Sequence, residues 1–249
     1  MTNDVAPASI AILGSTGSIG KSTLDVIQRH SQYKVFALSA HSNVDMLFAQ
    51  CLQFHPELVV MVDEKAASNL QKLLRKQNLD IEVLAGAASL IQISTHESVD
   101  TVMAAIVGSA GLEPTLAAVK SSKKVLLANK ESLVMAGELF IQAVADSGAC
   151  LLPIDSEHNA IHQCLPEFSA GKGQVDRRLV KRVILTASGG PFLNTPLEEF
   201  VSITPEQACR HPNWKMGRKI SVDSATMMNK GLEFIEACYL FDLNPNQID

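Results

Sequence analysis

The chain has 249 residues, 47% of them hydrophobic, with a net charge of −5 from 21 Lys and Arg against 26 Asp and Glu. That composition supports a sizeable core in one large or two modest domains, and the acidic balance argues against a nucleic-acid partner, which selects an excess of Lys and Arg. The five cysteines form no C-x-x-C pair, which argues against a disulfide framework or structural zinc and for a reducing, cytoplasmic setting. No apolar run has the length of a membrane span, and the first residues lack the basic-then-apolar order of a secretion signal.

Residues 9–13 are a short apolar run that predicts a strand, followed by Gly14, Ser15, Thr16, Gly17, Ser18, Ile19 and Gly20 and then an amphipathic helix over 21–29. Strand, glycine turn and helix bring backbone close to a diphosphate and offer it N–H groups and the positive end of a helix dipole. Ser15, Thr16 and Ser18 add hydroxyl donors. The spacing is G-x-x-G-x-x-G, not the usual G-x-G-x-x-G. By itself the segment reads either as a dinucleotide site or as a tight turn that binds nothing.

Residues 33–38 predict a second strand, ending at His41, Ser42 and Asn43. An acidic residue at this strand end selects NAD; none stands before Asp45, so the cluster favours the 2′-phosphate of NADP. Helices over 44–53, 65–77, 87–94 and 113–120 then alternate with strands over 58–62, 81–84, 101–107 and 124–128. Such alternation predicts a parallel sheet with ligands at the carboxyl ends of its strands. Four polar or glycine clusters fall at such ends: the glycine turn, residues 41–43, residues 108–111, and Asn129 with Lys130 and Glu131. Lys130 is placed either at the crevice or as the opening of the next helix.

Asp146, Ser147 and Gly148 break the pattern, which places a domain boundary near residue 150. An apolar run, 150–152, leads into Asp155, Ser156 and Glu157, with a helix expected over 160–165. If the backbone stays extended, Asp155 and Glu157 share a face; the pair is then a solvated strand end or, with a proton or cation between them, a site. After the polar segment 166–176, a strand is predicted over 180–186, ending in Ser188, Gly189 and Gly190. That end is a bare turn or an oxyanion-holding concavity. Thr204 and Pro205 open a short helix. The loop 211–217, with the single Trp214, either plugs a core or closes as a lid. Residues 221–224 are expected to cap a helix over 225–240 that aligns Thr226, Asn229, Lys230, Glu233 and Glu236. This face is either solvated, with i,i+3 and i,i+4 charge pairs, or one where Asn229 and Lys230 grip an anion while Glu233 joins Asp155 and Glu157 around a cation.

Taken together, these segments make the chain resemble the 1-deoxy-D-xylulose 5-phosphate reductoisomerase family, NADPH-dependent enzymes early in the non-mevalonate isoprenoid route. The resemblance rests on residues 13–20 (LGSTGSIG), 127–132 (LANKES), 153–159 (PIDSEHN), 188–192 (SGGPF), 210–214 (RHPNW) and 217–233 (GRKISVDSATMMNKGLE), in the family's order. It implies an α/β protein: a Rossmann-like parallel-sheet NADPH domain over 1–150, then an incomplete α+β catalytic domain over 151–249. Family chains are longer and continue into further strands and a helical C-terminal domain, absent here. That expectation leaves open sheet edges, and a homodimer whose arrangement is native or, because of the missing segment, non-native or domain-swapped.

The resemblance further implies that Asp155, Glu157 and Glu233 hold one Mg²⁺ or Mn²⁺, whose oxygen-only donor set suits those ions better than zinc. Lys130 and Ser156 would contact oxygens of a sugar phosphate substrate. Ser188, Ser224, Asn229 and Lys230 would bind its phosphate, and His211, Trp214 and Met216 would form the closing loop, with His211 and Lys130 among the catalytic groups. Gly14, Thr16, Gly17, Ser18, Ile19, Ser42, Asn43, Asn129 and Glu131 would line the NADPH site. Family members often carry Gly-Lys where this chain has His41 and Ser42, which bears on the grip on the 2′-phosphate. The implied reaction is rearrangement of 1-deoxy-D-xylulose 5-phosphate, by retro-aldol and aldol steps or an α-ketol shift, then hydride reduction to 2-C-methyl-D-erythritol 4-phosphate. Its alternative is a catalytically silent NADPH-binding fragment that self-associates. A generic NADP dehydrogenase, acting without metal, is a third reading.

Overall fold

The structure is a computed structural model that describes residues 6–165, 180–210 and 217–249. The chain divides into two compact units, one ending at Ile154 and the other beginning at Asp155.

The first unit alternates strand and helix: β1 (Ala8–Leu13), α1 (Ser18–Arg29), β2 (Tyr33–Ala40), α2 (Val44–Phe54), β3 (Leu58–Met61), α3 (Glu64–Lys76), β4 (Glu82–Ala85), α4 (Ala88–Thr95), β5 (Thr101–Ala104), α5 (Leu112–Lys120), β6 (Lys124–Leu127), α6 (Lys130–Ser147) and β7 (Cys150–Pro153). All neighbouring strands pair in parallel, in the order β4-β3-β2-β1-β5-β6-β7. The central strands are near-continuous apolar runs because helices cover both faces of a parallel sheet. Ile10, Ile12, Val59, Met61 and Met103 accordingly join one buried cluster with Leu24 and Ile27 of α1 and Leu70 and Leu74 of α3. Leu70 and Leu74 are fully buried, and each is worth about 1.5–3 kcal/mol in removed apolar surface. α3 starts where Asp63 accepts a hydrogen bond from the Ala66 N–H at 2.8 Å, an N-cap that satisfies one orphan donor.

The strand order reverses between β1 and β5, the point at which an open α/β sheet forms its ligand crevice. Gly14 ends β1 there with φ 82°, and a Cβ on it would lie 3.0 Å from the Ala105 carbonyl. Gly20 is required for a different reason. A Cβ there would stand 2.5 Å from both the Gly14 oxygen and the Ser15 Cα, so only glycine lets α1 pack onto its own entry turn. Residues 150–153 pair with β6 as a seventh strand, so the first compact unit takes in this strand and runs to Ile154.

In the second unit, α7 (Ser156–Cys164), α8 (Pro205–Ala208), α9 (Arg218–Ala225) and α10 (Met228–Leu240) follow. Thr204 and Gln207 close a reciprocal capping box on α8 with Pro205 at its first position. Three expectations change here. The helix after β7 begins at Ser156, since Asp155 caps it by accepting from the Ser156 N–H at 3.1 Å. The strand expected over 180–186 makes one bridge, Val183 to Ile248; its hydrogen bonds run to residues 247–249, and among the described residues no second neighbour extends it into a sheet. The helix expected over 225–240 starts later, at Met228, and residues 221–224 do not cap it but belong to a separate helix. α9 carries residues 221–224 within it, and Met227 in the left-handed region, φ 60°, separates it from α10.

Among the described residues no helix is long and apolar enough to cross a membrane.

Candidate active site: carboxylate triad, anion cleft and dinucleotide turn

In the second unit, Asp155, Glu157 and Glu233 each place a carboxylate oxygen within 4.8 Å of the others. Asp155 and Glu157 converge through the turn into α7, not through the strand alternation that the sequence suggested. Glu233 comes from α10 and is 1% exposed. A carboxylate removed from water costs several kcal/mol unless charge and hydrogen bonds surround it. Asn229 Nδ2 donates to Glu233 Oε1 at 2.6 Å, and the Lys230 ammonium donates to the other oxygen, Oε2, and to the Thr186 carbonyl. Lys230 also reaches Glu157 Oε1 at 3.3 Å, while the Ser156 hydroxyl donates to Glu157 Oε2 at 2.6 Å. Burial alone would raise the Glu157 pKa, yet the Ser156 hydrogen bond and the Lys230 charge outweigh it and hold this carboxyl below its usual value.

The triad fits a small divalent cation. Three carboxylates against one ammonium leave a formal charge of minus two, and every donor is a hard oxygen, the set preferred by Mg²⁺ and Mn²⁺. Ligand oxygens around an ion bound at ~2.1 Å lie ~3 to ~4.2 Å apart, so the observed grouping needs only side-chain rotation. Lys230 already brings positive charge to two of the three carboxylates.

Beside the triad is an open cleft lined by Glu157, Ser188, Gly189, Gly190, Ser224, Met227, Asn229 and Lys230. Gly190 has φ 71°, and a Cβ on it would lie 2.6 Å from the Ser224 carbonyl, so glycine lets the 188–190 turn approach α9. The Gly190 N–H donates to the Ser188 hydroxyl at 3.2 Å.

Sequence reading did not single out His158, and it took Glu236 only as one of an aligned face. His158 is fully buried, with Nε2 2.9 Å from the Glu233 carbonyl and Nδ1 3.4 Å from Glu236 Oε2. Asp155, His158 and Glu236 form a second ligand-type cluster that shares Asp155 with the first. Its signal was present in the i,i+3 spacing of Asp155 and His158 and of Glu233 and Glu236, which places each pair on one helical face.

In the first unit the glycine turn, residues 41–43 and Asn129 to Glu131 lie at the carboxyl ends of β1, β2 and β6. Gly17, Ser18 and Ile19 are exposed and Thr16 is half-buried; Gly17 caps α1 without a side-chain hydrogen bond. Ser15 departs from expectation. It is fully buried and donates inward to Gln50 Oε1 at 2.7 Å, so its hydroxyl is not offered to a ligand. Ser42 is exposed, and Asn43 caps α2 by accepting from the Met46 N–H at 3.2 Å. Asn129 is buried and caps α6, while its Nδ2 donates to the Ile106 and Gly108 carbonyls at 2.6 and 3.0 Å. That ties the end of β6 to the loop after β5. Lys130, 6% exposed, is the first residue of α6, followed by half-buried Glu131. His211, Trp214 and Met216 lie outside the described residues.

The family model for 1-deoxy-D-xylulose 5-phosphate reductoisomerase matches residues 10–137, and the model for that enzyme's C-terminal domain matches 151–241. The chain belongs to this family. It is 61% identical over 245 residues to the 1-deoxy-D-xylulose 5-phosphate reductoisomerase of Pseudomonas savastanoi pv. phaseolicola, covering 98% of this chain and 61% of that protein. With the Ectopseudomonas mendocina protein of the same name it shares 62% over 242 residues, 96% of this chain and 61% of the relative. It is similar to a crystal structure of DOX-P reductoisomerase in complex with NADPH, fosmidomycin and magnesium, at TM-score 0.90 and 49% identity over 97% of this chain and 60% of that one. A further match is the Zymomonas mobilis reductoisomerase in complex with NADPH, at TM-score 0.87 and 46% identity, covering 98% of this chain and 60% of that chain. The chain thus spans about 61% of the length of the curated relatives it matches.

Proposed function

We propose that this chain carries the cofactor, metal and substrate groups of an NADPH-dependent reductoisomerase that converts 1-deoxy-D-xylulose 5-phosphate to 2-C-methyl-D-erythritol 4-phosphate. The observation that carries the reading is the convergence of Asp155, Glu157 and Glu233 beside a cleft lined by Ser188, Ser224, Asn229 and Lys230. A plain dehydrogenase needs the dinucleotide turn but has no use for an oxygen-only triad next to an anion cleft. Relatives whose structures hold NADPH and magnesium support the same assignment.

Bound in the triad, Mg²⁺ or Mn²⁺ supplies Lewis-acid stabilisation of negative charge on the substrate's carbonyl and neighbouring hydroxyl oxygens, and NADPH supplies the hydride. The chain's own residues do the rest. Glu157, kept ionised by Ser156 and Lys230, holds its place in the triad without taking a proton. Ser156 would contact the reacting oxygens, and Lys130 is assigned to the substrate on the family resemblance. Ser188, Ser224, Asn229 and Lys230 anchor the phosphate away from the reacting carbons, so that binding energy is spent on orientation. Gly14, Thr16, Gly17, Ser18, Ile19, Ser42, Asn43 and Glu131 line the cofactor, with Asn129 shaping the adjoining loop. The same reading includes self-association as a homodimer, measurable by analytical ultracentrifugation.

The test is NADPH oxidation by the full chain with 1-deoxy-D-xylulose 5-phosphate, with Mg²⁺ and with excess chelator, alongside NADPH binding by fluorescence. Metal-dependent turnover supports the proposal. Binding without turnover leaves a silent NADPH-binding chain, and turnover unchanged by chelator favours a generic dehydrogenase.

A further inference from the structure

Gln50 stands on the buried face of α2 with Leu47 and Cys51 and is 6% exposed. An amide in that position costs stability unless both its ends are paired. Both are, and to one residue: Oε1 accepts from the Ser15 hydroxyl at 2.7 Å, and Nε2 donates to the Ser15 carbonyl at 2.9 Å. Ser39, also buried, completes the arrangement from β2. Its carbonyl accepts the Ser15 N–H at 2.8 Å, and its hydroxyl accepts the Gly14 N–H at 2.9 Å. A hydrogen-bonded cluster from α2 and β2 therefore fixes the first two residues of the glycine turn.

The peptide unit after Ser15 is planar and trans, so its carbonyl and the Thr16 N–H point in opposite directions. Pulling the Ser15 carbonyl inward onto Gln50 turns the Thr16 N–H the opposite way, out of this buried cluster. We propose that Gln50 is a positioning residue for the cofactor's diphosphate, acting through the Ser15–Thr16 peptide. The inference rests on the reading of this turn as an NADPH site. It gives α2 two tasks, since Asn43 at its start lies by the proposed 2′-phosphate end and Gln50, near its close, orients the diphosphate end.

The test compares the full chain with Gln50→Met, which keeps volume and removes both hydrogen bonds, and with Ser15→Ala, which removes only the hydroxyl. Loss of a buried hydrogen bond that aims a ligand donor predicts about a tenfold weaker NADPH affinity for Gln50→Met and a smaller loss for Ser15→Ala. The 2′-AMP affinity, which needs no diphosphate contact, stays unchanged, whereas a merely structural role lowers both. Wild-type binding of NADPH with equal affinity in Gln50→Met, or equal losses for the two ligands, overturns the inference while leaving the NADPH reading in place. Failure of the wild-type chain to bind NADPH overturns both. Hydrogen exchange of the wild-type Thr16 amide needs no variant: fast exchange in the free chain and protection with NADPH support the proposal, and slow exchange without ligand contradicts it.

Discussion

His158 Nε2 lies 2.9 Å from the backbone carbonyl of Glu233, a bond from the helix carrying Glu157 to the helix carrying the third carboxylate. The same ring faces Glu236 Oε2 at 3.4 Å and stacks on Phe241 at 6.3 Å between centroids. It therefore holds α7 and α10 in the register that brings the triad together. Replacing His158 with Ala removes a buried ring and takes from the buried Glu236 an ionisable neighbour. Urea unfolding of the second unit is expected to lose about 3 kcal/mol, and Mn²⁺ affinity should fall with it. An unchanged unfolding midpoint would show that the ring plays no such part.

Glu233→Gln keeps the side-chain shape and one acceptor for Asn229 but removes a charge from the triad. Mn²⁺ binding followed by paramagnetic resonance is expected to weaken by at least about tenfold, as is usual when a charged ligand or its support is lost. Chelator treatment of the wild-type chain should reproduce the signal loss and be reversed by added Mn²⁺.

Lys230→Met is expected to move two affinities in opposite directions. The ammonium now neutralises Glu157 and Glu233, so its removal raises the negative field that a cation meets and tightens Mn²⁺ by about tenfold. The cleft loses the one ammonium among its described lining residues, so inorganic phosphate, followed by calorimetry, should bind much more weakly. Weaker Mn²⁺ binding would mean that the lysine supports the triad and does not compete with the ion.

Gly20→Ala places a methyl 2.5 Å from the Gly14 oxygen and the Ser15 Cα, backbone atoms that cannot swing aside. Overpacking of this kind costs about 1–3 kcal/mol, and here it displaces α1 from its turn. Thermal unfolding should register the loss, and NADPH fluorescence titration should show weaker binding than a Ser22→Ala control.

Burial pushes the Cys51 thiol up to about 12 from 9.0. Below about 9 both folded and unfolded chains keep this proton and the contribution to stability is complete. Between 9 and 12 the unfolded chain has released it while the folded chain has not, so stability falls as pH rises, by up to ~1.4 kcal/mol per pH unit. Urea midpoints measured across that window should fall more steeply for the wild type than for Cys51→Ala. Alkylation at neutral pH should reach exposed Cys164 and spare Cys51.

The alternation from β1 to β6 was legible because parallel strands buried on both faces leave continuous apolar runs, such as Ile10 to Leu13, and amphipathic helices leave spaced ones, such as Leu24 and Ile27. What escaped was direction. Ser15 reads as a phosphate donor until Gln50, thirty-five positions away, is seen to take its hydroxyl. Asp155 and Glu157 read as neighbours on a strand, whereas they meet because one caps the helix that the other enters. Residues 180–186 have the composition of a strand, yet composition cannot supply a pairing neighbour. His158, two residues before the helix expected at 160, drew no attention because its worth depends on Glu233 and Glu236, seventy-five and more positions later.

The left-handed Met227 separates α9 from α10. An unbroken helix would pass the cleft with its carbonyls and amides paired along its length, presenting no net field there. Interrupted at Met227, the chain presents instead the opening turn of a new helix at a cleft lined by Met227, Asn229 and Lys230, with the partial positive charge of a helix start added to the ammonium. On the proposed reading of the cleft as an anion site, this one residue of unusual backbone sets where the helix start lies, and Met227→Gly, at home at φ 60°, should keep inorganic phosphate affinity where Met227→Val lowers it.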